Sequence, residues 1–391
     1  MRSIELFAGA GGLGLGISQA GFHPSMVLEW DPYCCDTIRE NQRRDIAPVK
    51  SWPLRQADVR RATFSHLEGE IDLVSGGPPC QPFSLGGKHK AQADKRDMFP
   101  EAVRAVREAK PKAFMFENVK GLTRASFTSY FEYIKLQLVY PECVAKKDET
   151  WTEHLGRLER HHTSGTDKGL SYNVVARVLN AANYGIPQKR ERVFIVGFRN
   201  DLGLEWRFPE GTHSWNALAW DQVKGTYWDR HKVPKKERLI SERALKVVER
   251  LDHASHEKAW RTVRDAINDL PDPEKLKREN KILNHRFQPG ARSYPGHTGS
   301  PMDEPAKTLK AGVHGVPGGE NMLRRADGSV RYFTVRESAR LQCFPDDYLF
   351  HGSWTETMRQ LGNAVPVNLA AALARDVREH LKSLELETRV A

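Results

Sequence analysis

Over the first 200 residues, short apolar runs alternate with stretches whose apolar positions recur at helical spacing. The runs at 4–8, 26–29, 71–75, 113–117 and 193–197 predict strands. Helices are predicted near 13–20, 32–41, 100–109 and 130–139; in the third, Ala102, Val103 and Val106 share one face. Strands alternating with helices predict βαβ units and a parallel sheet. From about Asp201 this rhythm stops, and Trp, Lys, Arg, His, Gly and Pro accumulate to about residue 330. The segments LKREN, GARSYPGHTGS and KAGVHGVPGGEN read as loops and turns. Helical spacing returns from Thr334, in ESARLQ, in WTETMRQL and over 366–384. The expected organisation is an α/β domain over 1–200, an irregular basic module over 201–330, and C-terminal helices over 331–391 that return to the first domain. The polar stretch 146–169 reads as a surface insertion.

Composition sharpens this picture at three points. A hydrophobic content of 39% suffices for a packed core. With 60 Lys and Arg against 50 Asp and Glu, the formal charge of +10 suits a polyanionic partner. No stretch is long and apolar enough for a membrane span, and MRSIELFAGAGG runs straight into a strand pattern rather than a secretory leader. The five cysteines, an odd number without a C-x-x-C pair, suit a reduced cytoplasmic protein. None of the fifteen histidines stands at a recognisable ligand spacing, so no metal is expected.

Three clusters carry candidate chemistry. Gly9-Ala-Gly11-Gly12-Leu-Gly14 follows a predicted strand and opens a predicted helix, where glycines let the backbone turn sharply and approach a ligand. Glu29 ends the next strand, placed for ribose hydroxyls, and Asp58 could meet an adenine amino group. This cluster by itself fits a nicotinamide dinucleotide as well as S-adenosylmethionine. Second, Gly76-Gly-Pro-Pro79-Cys80-Gln81-Pro-Phe-Ser84 follows the strand over 71–75, at the strand ends where open α/β sheets bind ligands. Its prolines fix φ and disfavour helix in the residues before them, so Cys80 is expected on a stiff extended turn. A polar, glycine-containing loop follows, over 86–96. Third, Glu117-Asn-Val119 is expected at the same crevice as Cys80. Gln188-Lys-Arg190-Glu-Arg192 leads into the last strand, with Arg190 and Arg192 on one face.

In order and spacing, FAGAGG, GGPPCQPFS, ENV, QKRER and QLGNAVPV resemble the signature blocks of the DNA cytosine-5 methyltransferases of bacterial restriction-modification type. The resemblance covers about the first 200 residues and the last 60. It implies a Rossmann-like S-adenosylmethionine-dependent α/β domain with a small irregular target-recognition domain. It implies that Cys80 adds to cytosine C6, that Glu117 holds or protonates N3, that Arg192 bonds O2, and that Arg190 supports the loop or backbone. By the same resemblance Phe7, Gly9, Gly11 and Gly12 line the cofactor, with Glu29 on ribose, Trp30 near adenine, Asp58 and Val59 on the adenine side and Pro79 at the methyl end. Asn363, Ala364 and Val365 close that pocket; Gly362-Asn363 also reads as a plain helix cap, and both can hold. The cytosine is flipped from the duplex, and Gln81, Ser84, Lys88 and Arg96 are candidates to fill its space or grip phosphates.

The implied partner is double-stranded DNA, with a companion restriction endonuclease on the same site, for a monomeric, nucleoid-associated cytoplasmic protein. In the module, Arg286, Arg292, Lys307, Lys310 and His314 are candidates for bases or phosphates. Three other readings compete: a tRNA cytosine-5 methyltransferase, a catalytically silent DNA-binding regulator and a dinucleotide oxidoreductase. The long basic module favours DNA over tRNA. Intact Cys80, Glu117 and Arg192 argue against a silent binder, and the proline-flanked cysteine with QKRER argues against the oxidoreductase.

Overall fold

The computed structural model describes residues 1–79, 97–165, 169–276, 281–312 and 321–390, with backbone alone over 385–390. Cys80, Gln81, Ser84, Lys88, Arg96 and His314 therefore lie outside the described residues.

Seven strands form the main sheet: β1 (Arg2–Leu6), β2 (His23–Glu29), β3 (Leu54–Gln56), β4 (Leu73–Gly76), β5 (Ala113–Val119), β6 (Tyr172–Asn180) and β7 (Glu191–Arg199). Their order is β3-β2-β1-β4-β5-β7-β6. The first domain also holds α1 (Gly12–Gln19), α2 (Pro32–Arg43), α3 (Phe99–Ala109), α4 (Thr128–Val139) and α5 (Trp151–Ser164). Every pairing from β3 to β5 is parallel, whereas β7 runs antiparallel to both β5 and β6. The expectation of a purely parallel sheet is thus corrected at its last strands. The short connection from β6 to β7 cannot make the crossover that a parallel pair needs.

Both sheet faces are covered, so the strands read as continuous apolar runs. Phe114 and Phe116 of β5 point to the core under α3 and α4, while Ala113 and Met115 point to the core under α1. The C-terminal helix α12 (Val367–Val390) joins that second core through Leu369, Leu373 and Val377. A Cβ at Gly16 would meet Ala370 Cβ at 2.5 Å, so α1 and α12 approach as closely as the glycine allows. Trp206 and Phe208 also pack in this core, which continues the first domain's packing past residue 200.

Residues 146–169, read as a surface insertion, contain an ordered helix. Thr150 and Glu153 form a capping box at the start of α5. Its underside buries His154 and Leu158, and His154 Nε2 lies 2.7 Å from the Cys143 carbonyl oxygen. The sequence hides this helix because its apolar face is narrow and includes a histidine.

The middle of the chain adds β8 (His213–Ser214), α6 (Trp215–Val223), α7 (Tyr227–Arg230), α8 (Glu242–Val248), β9 (Lys258–Ala259) and α9 (Val263–Ile267). A small sheet of β10 (Ser300–Pro301), β11 (Met322–Arg324) and β12 (Val330–Tyr332) follows. Then come α10 (Val335–Leu341) and α11 (Trp354–Asn363). Val263, Leu309 and Leu323 share a core with Phe333 and Leu341, so the end of the module packs with the start of the C-terminal helices.

Glu5 is a fully buried acid in the middle of this sheet. It accepts hydrogen bonds from the Ser3 hydroxyl, at 2.9 Å, and from the Ser75 hydroxyl. Burial pushes its carboxyl up to about 7, against an ordinary 4.5. Its contribution to stability is therefore whole below about pH 4.5 and is lost as pH rises to about 7. The loss is on the order of 3 kcal/mol. Glu5→Gln, which keeps an acceptor for the serines without the charge, is expected to raise the melting temperature at pH 8. The gain should shrink towards pH 5, and an equal gain at both pH values would contradict this account.

Candidate active site

Strand order reverses between β1 and β4, which makes their C-terminal ends the natural ligand crevice. Leu6 pairs with Gly76, so the FAGAGG turn and the GGPP turn leave the sheet side by side. Phe7 holds φ at +53° although it carries a side chain, a strained conformation of the sort that gathers at functional sites.

Glycines at this turn have different causes. A Cβ at Gly12 would stand 2.4 Å from the Val365 carbonyl oxygen, so the close approach of Ala364 and Val365 requires glycine there. Gly11, with φ +88°, backs onto Trp52. Gly9, with φ +56°, has no atom within 4 Å of an added Cβ and so faces open space.

Glu29 stands beside that space, at the end of β2. Its Oε2 accepts from Gly9 N at 2.6 Å, and its Oε1 accepts from Trp30 N at 2.8 Å and Asp31 N at 2.7 Å. Burial pushes its carboxyl up while these three bonds pull it down. A carboxylate offers about four acceptor positions, so about one is left for a ligand hydroxyl. Trp30 is 69% exposed, a large ring with little protein against it. Asp58 caps a short turn by accepting from Arg60 N at 3.0 Å, and its carboxylate pairs with the Arg60 guanidinium. Val59 is buried beneath it. An open cradle over Gly9, an exposed indole and a partly committed carboxylate fit an adenosine cofactor. Among the described residues, no group of three or more His, Cys, Asp and Glu could hold a metal ion.

The second turn is fixed from below. Asn118 Nδ2 donates to the Pro78 carbonyl at 2.9 Å, and Met98 N donates to the Pro79 carbonyl at 3.0 Å. These bonds anchor the backbone on both sides of 80–96. Asn118 belongs to the Glu117-Asn118-Val119 cluster marked out in the sequence, which gave it no role of its own.

Glu117 lies one residue before, with its carboxylate over Gly77. A Cβ there would stand 3.3 Å from Glu117 Oε2. Because β7 is antiparallel to β5, Arg192 pairs with Val119 and its side chain reaches back. Arg192 Nε lies 2.9 Å from Glu117 Oε1, and both side chains are largely buried. Burial pushes the Glu117 carboxyl up, against the pull of Arg192 and Arg190. Burial likewise lowers Arg192, opposed by Glu117. A guanidinium does not give up its proton in a protein, so Glu117 is where this pair gains or loses one.

Arg190 is fully buried and points elsewhere. It donates to the Leu309 carbonyl at 3.0 Å and to the Gly362 carbonyl at 2.8 Å. Its Nε has no partner among the described residues. Gly362 lies inside the last turn of α11, and Ala364 is the cap, which corrects the cap reading. A Cβ at Gly362 would stand 2.2 Å from Ala311 N, so the glycine lets the module's backbone cross the helix end. Gln188 adds to this junction by accepting from Leu309 N at 3.0 Å. Asn321, also missed from the sequence, clasps Lys310 from its carbonyl and its amide, both at 2.9 Å. Asn363 is exposed at the same junction.

Arg286, Arg292 and Lys310 are exposed in the module, and Lys307 Nζ is held by Thr298 Oγ1 at 2.9 Å.

The sequence profile of the C-5 cytosine-specific DNA methylase family matches residues 1–139 and 163–379. The chain belongs to this family. Among relatives of this DNA methylase is the type II methyltransferase M.PspPI of Psychrobacter sp. (strain TA137). It is 32% identical over 382 residues, which cover 96% of this chain and 78% of that protein. M.NgoMIV of Neisseria gonorrhoeae is 30% identical, over 97% and 98% of the two chains. The solved S. pombe Dnmt2 methyltransferase shares the fold with a TM-score of 0.56 at 17% identity, over 97% of this chain and 99% of that one. The family profile leaves 140–162 unmatched, and that stretch contains most of α5. No helix of the described residues is long and apolar enough to cross a membrane.

Proposed function

We propose that this DNA methylase transfers a methyl group from S-adenosylmethionine to carbon 5 of a cytosine flipped out of a short duplex DNA sequence. The observation that carries the reading is the buried Glu117–Arg192 pair, set beside the anchored turn that leads into Cys80. Cytosine C5 is a poor nucleophile. Attack of the Cys80 thiolate on C6 forms an S–C bond and drives electron density towards N3 and C5. Glu117, whose carboxyl burial pushes up against the pull of Arg192 and Arg190, gives its proton to N3 as that charge develops. Arg192 bonds O2 and holds the ring in plane. The bound cofactor supplies an electrophilic methyl for C5. A base then takes the C5 proton, Cys80 leaves with its bonding pair, and N3 returns its proton to the Glu117 carboxylate, restoring the neutral aromatic ring.

Gly9, Glu29 and Trp30 would hold the adenosine half, with Val59 and Asp58 at its edge. Phe7, Gly11 and Gly12 would follow the cofactor towards Pro79, under Asn363, Ala364 and Val365. Residues 201–330 would read the target, and +10 net charge favours a polyanion. A companion restriction endonuclease is the partner that the relatives' type II naming suggests. One crevice and one module suffice for each strand of a palindrome, which supports a monomer.

Labelled methyl from S-adenosylmethionine is expected to enter unmethylated plasmid DNA, and sequencing should place it at carbon 5 of cytosines within one short motif. Incorporation into tRNA and not DNA would overturn the DNA reading.

A further inference from the structure

The geometry points to the turn Tyr294-Pro-Gly-His297 as a sequence-reading element, whose close, tilted Tyr294–His297 ring pair meets a base pair of the target duplex. This inference rests on the proposed methylation of DNA.

The turn is built to be rigid. Proline stands at its second position and Gly296, with φ +81°, at its third, the arrangement of a type II turn. Tyr294 N donates to the His297 carbonyl at 3.3 Å, and His297 N donates to the Tyr294 carbonyl at 2.8 Å. The two rings stand 4.3 Å apart with planes 33° from parallel. Tyr294 is 48% exposed, and its hydroxyl has no hydrogen-bond partner among the described residues. A preformed aromatic pair with a free hydroxyl can both stack and hydrogen-bond at little ordering cost.

Its surroundings suit DNA. Arg292 and Arg324 are exposed and have no ion-pair partner among the described residues. Arg324 stands beside Gly299, two residues past the turn. The nearby acids Asp303 and Glu304 are paired with Arg264 and Lys189. Unpaired cations around an exposed ring pair match a phosphate-lined partner.

Its position suits a reader serving this crevice. β10 and β11 are parallel, with Ser300 opposite Leu323, so the residues preceding the two strands lie at one end of the small sheet. The turn precedes β10 and Asn321 precedes β11. Asn321 clasps Lys310, whose backbone crosses Gly362, and Arg190 bonds the Gly362 carbonyl two residues from Arg192. The ring pair is therefore mounted on the end of the module that is joined to the catalytic residues.

The test uses the full chain and duplexes carrying the motif found for the wild type, together with every single-base change of it. For Tyr294→Ala and for Tyr294→Ala with His297→Ala, kcat/KM on the motif is expected to fall about tenfold or more. The ratio of motif to one set of single-base variants should collapse towards one. Tyr294→Phe, which keeps the stack and loses the hydroxyl, should fall between. Cofactor binding by calorimetry should match the wild type in all three. Unchanged ratios in the alanine variants, with or without a uniform loss of rate, would overturn the inference and leave the DNA methylation reading standing. Absence of any methylcytosine from the wild type would overturn both.

Discussion

Cys80→Ala is expected to lose methyl transfer to DNA by about ten-thousand-fold or more, the scale seen when an enzyme's nucleophile is removed. The size follows from chemistry rather than from binding. Without a thiolate on C6, C5 carries too little electron density to accept a methyl cation equivalent. Cofactor affinity should be unchanged, because the cradle at Gly9, Glu29 and Trp30 is built from β1 and β2. DNA affinity should also persist, since the module proposed to read the target does not include Cys80. The decisive measurement pairs a labelled-methyl assay with binding by calorimetry and gel shift. Residual transfer within tenfold of the wild type would rule Cys80 out as nucleophile.

The second large effect is at Glu117. Glu117→Gln is expected to lower kcat by roughly 100- to 10,000-fold, the range for loss of a positioned acid. An amide can still donate a hydrogen bond to N3 but cannot transfer the proton, so the residual rate should exceed that of Cys80→Ala. The pH profile carries the sign. Burial holds the Glu117 carboxyl above its ordinary value, so the acid stays protonated to a higher pH than a solvated glutamate. Activity that needs this proton is full below the raised value and falls as pH climbs through it. The wild type should therefore show an alkaline decline in kcat that the glutamine variant lacks. If both decline in parallel, Glu117 is not the proton donor.

Much of this site was legible in the sequence because its constraints are local. A glycine-rich turn after a strand, prolines on both sides of a cysteine and an acid at a strand end each act through the backbone of a few residues. Glu29 and Glu117 are expected at strand ends by the same reasoning; Glu29 ends β2, whereas β5 runs two residues past Glu117 to Val119. The helices were found where their apolar spacing was regular. α5 was not, since a buried histidine and a half-buried Trp151 carry its packed face. β6 escaped because its exposed and half-buried positions give no clean alternation.

What the sequence determined by itself, then, was the set of chemical groups and the strand ends that bear them. It did not determine which groups meet. Arg192 reaches Glu117 only because β7 enters the sheet antiparallel to β5, a choice made by strand pairing across more than seventy residues. Arg190, expected on one face with Arg192 and in support of the loop or backbone, donates to the Leu309 and Gly362 carbonyls, and no local pattern names those two partners. Gly362 looked like a helix cap, and instead it is the gap through which the module's backbone passes. Each depends on contacts between segments far apart in the chain. No local pattern encodes such contacts, since they are selected by how two faces of one sheet and the ends of several elements fill space together.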